Sequence, residues 1–403
     1  MFRPRSVFVF HPRPYAAYFV FAFALSLVAC SGGSGGTGST SGGGGGGGTS
    51  SNPPTSGEYL WETGSTSNLT YATIDAATGA LGAPTVAGGP ASNPTNYPSI
   101  LAAPSGNYLY AFWASFSMLE TFKMSGPGLQ LQNMTDSGYT LSAPYAWSMT
   151  MHPSGKFFYL VSSGTQGSIQ EVSVDTSKGS MTLGPVVKEN ADLRVAVIDP
   201  AGQFLFINDL TGGRIFVYQI NQTTGALSAV PNSPFTLPSN EQPAQLAIGG
   251  SGASLFLYAA LYTQNWNNGG IAALAVNSST GGLTPVSGSP FQTGGEAPSY
   301  ICIDPSRKFL YATSAQDGSL FGLSINPLTG ELSSVTGSPF ATAATSGTIS
   351  LDPSGKFLYV TNYSASKIYG FSLNSATGAL SPIAGSPFAA VAQPEGLTMM
   401  SIP

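Results

Sequence analysis

Charged side chains are scarce in this sequence, so the few that could do chemistry are easy to find. The 403 residues hold 13 Lys and Arg against 18 Asp and Glu, with only two histidines. Arg194 and Asp209 lie at opposite ends of a hairpin-like stretch, equidistant from its turn at Ala201-Gly202. Residues so placed on an antiparallel pair sit nearly opposite each other. A carboxylate there could take up a proton or activate water, and a guanidinium could hold oxygen atoms bidentately. The same two residues could equally form a structural ion pair. Further acidic residues stand just ahead of comparable strands: Glu189 and Asp192, Glu241, Glu296 and Glu395. They read either as ordinary polar loops or as an acidic funnel for a cation or a polyhydroxylated ligand. Trp113, Trp147, Trp266, Tyr262 and Tyr363 fall toward the same strand ends. Aromatic faces beside carboxylates suit sugars, and they also suit plain packing.

Other chemistries find little support. His152, the one histidine beyond the N-terminal segment, occupies a turn slot held elsewhere by Asp199, Asp304 and Asp352, so a structural role is expected. With that histidine and two cysteines, Cys30 and Cys302, no metal site, cofactor or Ser-His-Asp triad is expected. Cys302 lies in an apolar strand and reads as a small buried hydrophobe. No basic stripe exists to neutralise phosphates, which argues against nucleic-acid binding.

The elements that must position these residues come from a repeat. Pro104-Ser-Gly-Asn-Tyr-Leu-Tyr, Pro153-Ser-Gly-Lys-Phe-Phe-Tyr, Pro200-Ala-Gly-Gln-Phe-Leu-Phe, Pro305-Ser-Arg-Lys-Phe-Leu-Tyr and Pro353-Ser-Gly-Lys-Phe-Leu-Tyr share one pattern, a turn and then an apolar strand. With looser copies at Pro54 and Gly250 there are seven, at a period of about 50 residues, which predicts an all-β, seven-bladed propeller of four-stranded blades. Blade six parses as strands Ser299 to Ile303, Lys308 to Thr313, Ser319 to Ile325 and Glu331 to Thr336, and Ser338-Pro339-Phe340 leads to the next blade. Thr-Gly-x-Leu turns recur at Thr78, Thr224, Thr280, Thr329 and Thr377, and blades two and three lack clean copies. Blade one begins on its second strand, so Pro394 to Pro403 is expected to supply the missing first strand and close the ring.

The N-terminus has another purpose. Arg3, Arg5 and Arg13 flank the apolar run Tyr15 to Ala29, shorter than the roughly 20 residues of a spanning helix, so residues 1–29 read as an export signal. Leu27-Val28-Ala29-Cys30 resembles a bacterial lipobox, which makes Cys30 the expected lipidation site and the cell envelope the expected location. Residues 30–53, mostly Gly, Ser and Thr, form a flexible tether, and residues 54–403 are the propeller. The lipid would then be the sole contact with the membrane.

The combination of Pro-Ser-Gly-Lys-Phe-Leu-Tyr-Val, Thr-Gly-Ala-Leu and Gly-Ser-Pro-Phe resembles the bacterial lactonase family of seven-bladed propellers, which includes cycloisomerase-type 6-phosphogluconolactonases. The resemblance implies that Arg194 is a family arginine six residues before the turn proline, and that Asn208-Asp209-Leu210 stands for a family Asn-Glu-Leu. Asp209 would then act as the base and Arg194 as the clamp in hydrolysis of a lactone. Trp147 replaces a channel histidine of the family, and Glu241-Gln242 occupies the region of a second arginine. Trp147, Glu241, Glu296 and Asp192 are the expected ligand-binding residues. An unphosphorylated sugar lactone is the expected substrate for an exported protein. The alternative is a non-catalytic envelope propeller that binds glycans or proteins.

Overall fold

The repeated phrase folds as a repeated sheet. The computed structural model describes residues 57–402, apart from 65–68, 89–97, 114–116, 126–129, 135–138, 142–145, 239–240, 252–253, 263–268, 296, 315–316 and 343–345, together with Phe23–Ala24. Among these residues the strands form seven sheets, one per blade. Blade four shows the plan. Leu193–Ile198 is its inner strand, Phe204–Asp209 and Arg214–Ile220 follow outward, and Leu227–Ala229 is outermost, all antiparallel. Blade six runs Pro298–Ile303, Phe309–Ser314, Ser319–Ile325 and Leu332–Ser334, close to the strands read from the sequence. The second strands of blades four, six and seven are buried along their whole length, in keeping with their nearly continuous apolar runs.

The outer edge corrects one expectation. Ser-Pro-Phe does not simply carry the chain onward, because Phe340–Ala341 pairs with the same third strand as Leu332–Ser334. Equivalent two-residue pieces do this in blades four, five and seven. In each case the serine hydroxyl accepts a backbone N–H from that third strand: Val217, Ala273, Gly322 or Gly370. The ring closes as the sequence predicts. Gly396–Ile402 pairs antiparallel with Gly57–Thr63, from Gly57 opposite Ile402 to Thr63 opposite Gly396. Phe23–Ala24 pairs in parallel with Ala146–Met151, the inner strand of blade three.

The repeat residues join each blade to the next. The first aromatic of a second strand lies beneath the turn glycine of the following blade: Phe157 under Gly225, Phe204 under Gly281, Phe256 under Gly330, Phe309 under Gly378 and Phe357 under Gly79. A Cβ on any of these glycines would come within 2.4–2.7 Å of the ring. They also adopt positive φ, so both space and backbone demand glycine. Two residues on, a tyrosine hydroxyl donates to the carbonyl of the same glycine. Tyr159 bonds Gly225, Tyr258 bonds Gly330, Tyr311 bonds Gly378 and Tyr359 bonds Gly79 across the closing seam. Blade three keeps such a turn despite its different sequence, with Gly179 over Tyr108.

One position breaks the pattern. Next after this tyrosine, the side chain packs back toward the preceding blade and is apolar in six blades: Ala111, Leu160, Ile207, Ala259, Ala312 and Val360. Blade one places Glu62 there, 0% exposed. Its Oε2 accepts the Val391 N–H at 2.8 Å, and Oε1 has no partner. Burial pushes this carboxyl up to about 7, against a smaller lowering by the Val391 N–H.

Candidate functional site

Inner strands begin, and second strands end, at one mouth of the ring. The expected site residues of blade four therefore share this end of the fold, but not as the hairpin count implied. Asp209 pairs in register with Leu193, and a bulge before Ala196 turns Arg194 and Val195 out of the regular ladder. Three neighbours fix the bulge. The Val195 N–H donates to Asn208 Oδ1 at 2.6 Å, Asn208 Nδ2 donates to Pro243 O at 2.5 Å in blade five, and Ser148 Oγ donates to Arg194 O at 2.8 Å from blade three.

Arg194 and Asp209 consequently have different partners. Asp209, 1% exposed, accepts Arg214 Nε at 2.8 Å and Nη2 at 2.5 Å on Oδ2, and the N–H groups of Asp192 and Gly212 on Oδ1. The expected Arg194–Asp209 pair is thus replaced by a pair with Arg214. Asp209 and Arg214 end paired strands directly opposite each other, joined by a Leu-Thr-Gly-Gly loop, and that short-range charge pairing was the overlooked signal. With both oxygens engaged, Asp209 is placed to hold the 190–214 corner together.

Arg194 instead donates from Nη2 to Asp192 Oδ2 at 2.9 Å. Its guanidinium carbon lies 4.0 Å from the centre of the Trp147 ring, in cation–π contact. Trp147 is itself oriented by donation from Nε1 to Ser163 Oγ. Two atoms remain uncommitted. Arg194 Nε and Asp192 Oδ1 are both buried with no hydrogen-bond partner. Asp192 is therefore held by its backbone to Asp209 and by its side chain to Arg194, forming a chain from Arg214 inward to Trp147.

Other expected residues divide. Glu241 precedes the inner strand of blade five, Gln242–Ser251, and is half-buried. Glu189 accepts the Tyr218 hydroxyl. Glu395, ahead of the closing strand, has an unpartnered Oε2, and burial pushes its carboxyl up to about 8. Trp113 is core, its Nε1 donating to Glu120 Oε2 at 2.6 Å, and Tyr363 is exposed. Glu296, Trp266 and Cys30 lie outside the described residues. His152 is structural, as its turn slot predicts: Nε2 meets Gly202 O at 2.9 Å and Nδ1 meets Ser154. Cys302 packs against the core of blades six and seven. Among the described residues no three of His, Cys, Asp and Glu form a metal-holding group.

A seven-bladed ring with a guanidinium at one mouth can now be set beside known proteins. The pattern of the family described as "Lactonase, 7-bladed beta-propeller" matches residues 118–242 and 256–386, more than half of the chain. The chain belongs to this lactonase family. Arg194, Asp192, Asp209 and Trp147 all fall in the matched residues. The fold is similar to that of a periplasmic gluconolactonase of Pseudomonas aeruginosa, PpgL, with a TM-score of 0.69 and 19% identity over 86% of this chain and 100% of that one. It is also similar to a 6-phosphogluconolactonase candidate of Bacteroides uniformis, with a TM-score of 0.68 and 16% identity over 86% and 100%. No curated protein matches the sequence. At these identities the likeness carries the propeller fold, and the chemistry must be argued from this lactonase-family chain's own residues.

Proposed function

We propose that this lactonase-family propeller hydrolyses an unphosphorylated sugar lactone at the mouth around Arg194. The observation that carries the reading is the half-built state of that group. Arg194 is stacked on Trp147 and bonded to Asp192, yet its buried Nε–H and the buried Asp192 Oδ1 are left unmatched. Buried polar atoms are rarely left so, and a bound ligand would satisfy both. An arginine donor aimed at a lactone carbonyl stabilises the charge that develops there when water attacks. Asp192 Oδ1 would accept the proton of that water. Asp209, fully engaged by Arg214 and backbone N–H groups, has the role of positioning Asp192 rather than acting as the base. Trp147 offers a face to the sugar ring, and Glu241, ahead of the inner strand of blade five, is proposed to contact its hydroxyls.

The setting follows from the N-terminal sequence. Residues 1–29 direct export, and lipidation of Cys30 anchors the propeller to a membrane of the cell envelope through the tether of residues 30–53. The preference for a neutral lactone rests on this location and on the acidic rim, which would repel a phosphate.

Acid release by the purified protein, followed in a pH-stat, tests the reading on glucono-, galactono- and simple aliphatic lactones. Faster release from the sugar lactones than from aliphatic ones supports it. Release at the spontaneous rate from all of them rejects it. Trp147 in place of the family histidine favours a second reading, glycan binding without turnover. Gluconate or oligosaccharide binding by a protein inactive on every lactone would select that reading.

A further inference from the structure

Asn208 is the fifth residue of the second strand of blade four, Phe204–Asp209, and is 0% exposed. The same place holds threonine in blades six and seven, Thr313 and Thr361, and apolar residues in blades two and three, Phe112 and Val161. A primary amide carries its acceptor and its donors on separate atoms, so it can serve two strands at once. Oδ1 accepts the Val195 N–H at 2.6 Å within the blade. Nδ2 donates to Pro243 O at 2.5 Å and to Ala244 O at 3.2 Å, both on the inner strand of blade five.

The Val195 N–H belongs to the peptide group that joins Arg194 to Val195. The carbonyl of that same group, Arg194 O, accepts Ser148 Oγ at 2.8 Å from blade three. One peptide plane is thus held at both ends by side chains, in place of the backbone partner it would have on a regular ladder. The pairing register shows the consequence. In blades three, five and six the bulge at this level passes over one residue, whereas in blade four it passes over both Arg194 and Val195, opposite Asn208 alone. Blade seven also passes over two residues, Gly347 and Thr348, but there a glycine stands in the arginine's place.

We propose that Asn208 is the positioning residue for Arg194, an inference that rests on the hydrolase reading above. Its amide keeps the Arg194–Val195 peptide group turned out of the ladder. From that backbone the guanidinium reaches 4.0 Å from the Trp147 ring centre and bonds Asp192. Without the amide the Val195 N–H is left buried and unpaired, and the backbone of the second strand is its nearest replacement. Restoring the ladder would turn the arginine away from the mouth, since successive residues on a strand point to opposite faces. An oxyanion donor displaced by as little as about 1 Å loses much of its effect.

The experiment combines steady-state kinetics on the best sugar lactone with crystal structures of wild type, Asn208→Thr and Asn208→Leu. Threonine already occupies this place in blades six and seven, so Asn208→Thr should fold and melt close to wild type. It keeps a donor for blade five but is too short to hold Val195 as well. Its kcat should fall about 10-fold with KM changed less than about threefold, because the displaced group acts on the developing oxyanion. Asn208→Leu, which lacks both bonds, should lose about 30-fold in kcat. In both variants the guanidinium should lie more than about 6 Å from the Trp147 ring centre, outside cation–π reach. Unchanged kcat in the two variants, whatever their melting temperatures, or a guanidinium still stacked on Trp147 in both, overturns the assignment and leaves the hydrolase reading standing. A wild type inactive on every lactone rejects the hydrolase reading, and the arginine's place in the crystal structures then decides on Asn208.

Discussion

The Asp209 carboxylate accepts four hydrogen bonds, and the Asp192 carboxylate, just ahead of the bulged strand, accepts one, from Arg194. These two aspartates should therefore respond differently to the same substitution. Asp209→Asn removes the ionic partner of Arg214, a third of whose side chain is exposed, and should cost about 2 kcal/mol in urea unfolding through the weakened charge-assisted hydrogen bonds. Asp192→Asn should unfold close to wild type and lose most lactone turnover. Equal stability losses in the two variants would contradict this division. Glu62 makes a prediction about pH. Its folded pKa, about 7, lies above the ordinary 4.5, so the folded state retains a proton that the unfolded chain releases. Stability should therefore decline as pH rises from about 4.5 to 7 and level off above, by on the order of 3 kcal/mol for this group. Glu62→Gln should flatten that decline in urea titrations at several pH values. An unchanged slope would mean that Glu62 is not the titrating group. The charged residues were legible in the sequence as types and positions, but their partners were not. A bulge moved Arg194 off the ladder, and a hairpin loop delivered Arg214 to Asp209.

Elements carry the repeat, and here the sequence was read more fully. Turn glycines, the aromatic after each Pro-Ser-Gly and the tyrosine two residues later were visible as a recurring phrase because each performs the same contact in several blades. What they touch was not visible, since each partner lies one blade ahead, more than 60 residues away in the pairs from Tyr159 to Gly225 and from Tyr311 to Gly378. The Ser-Pro-Phe piece beyond the fourth strand was misjudged for a related reason. Ser-Pro-Phe looks like a connector, and its pairing depends on a serine accepting a third-strand N–H. Gly378→Ala should lower stability by about 2 kcal/mol or more, since it adds left-handed backbone strain to a Cβ placed 2.4 Å from the Phe309 ring. Tyr359→Phe should cost about 1 kcal/mol by leaving the Gly79 carbonyl without its donor. Thermal unfolding of both variants checks the latch, and no change in either would remove it from the account.

At the scale of the whole molecule, closure makes seven sheets one ring. Gly396–Ile402 supplies blade one with its inner strand, pairing along the whole of Gly57–Thr63. Closure was foreseeable because blade one began on a second strand and the last residues resembled a first strand. A chain ending at Glu395 would leave two sheet edges open. It should elute as aggregates and lose cooperative unfolding, whereas a stable monomer would show that closure is dispensable. The arginine at the mouth remains the central claim. The most direct measurement is kcat/KM on glucono-1,5-lactone for wild type and Arg194→Ala at neutral pH. The account predicts measurable wild-type hydrolysis and a loss of about 100-fold or more in Arg194→Ala, because the group that stabilises the developing oxyanion is gone. Equal rates in the two proteins, or a wild type no faster than water, would contradict it.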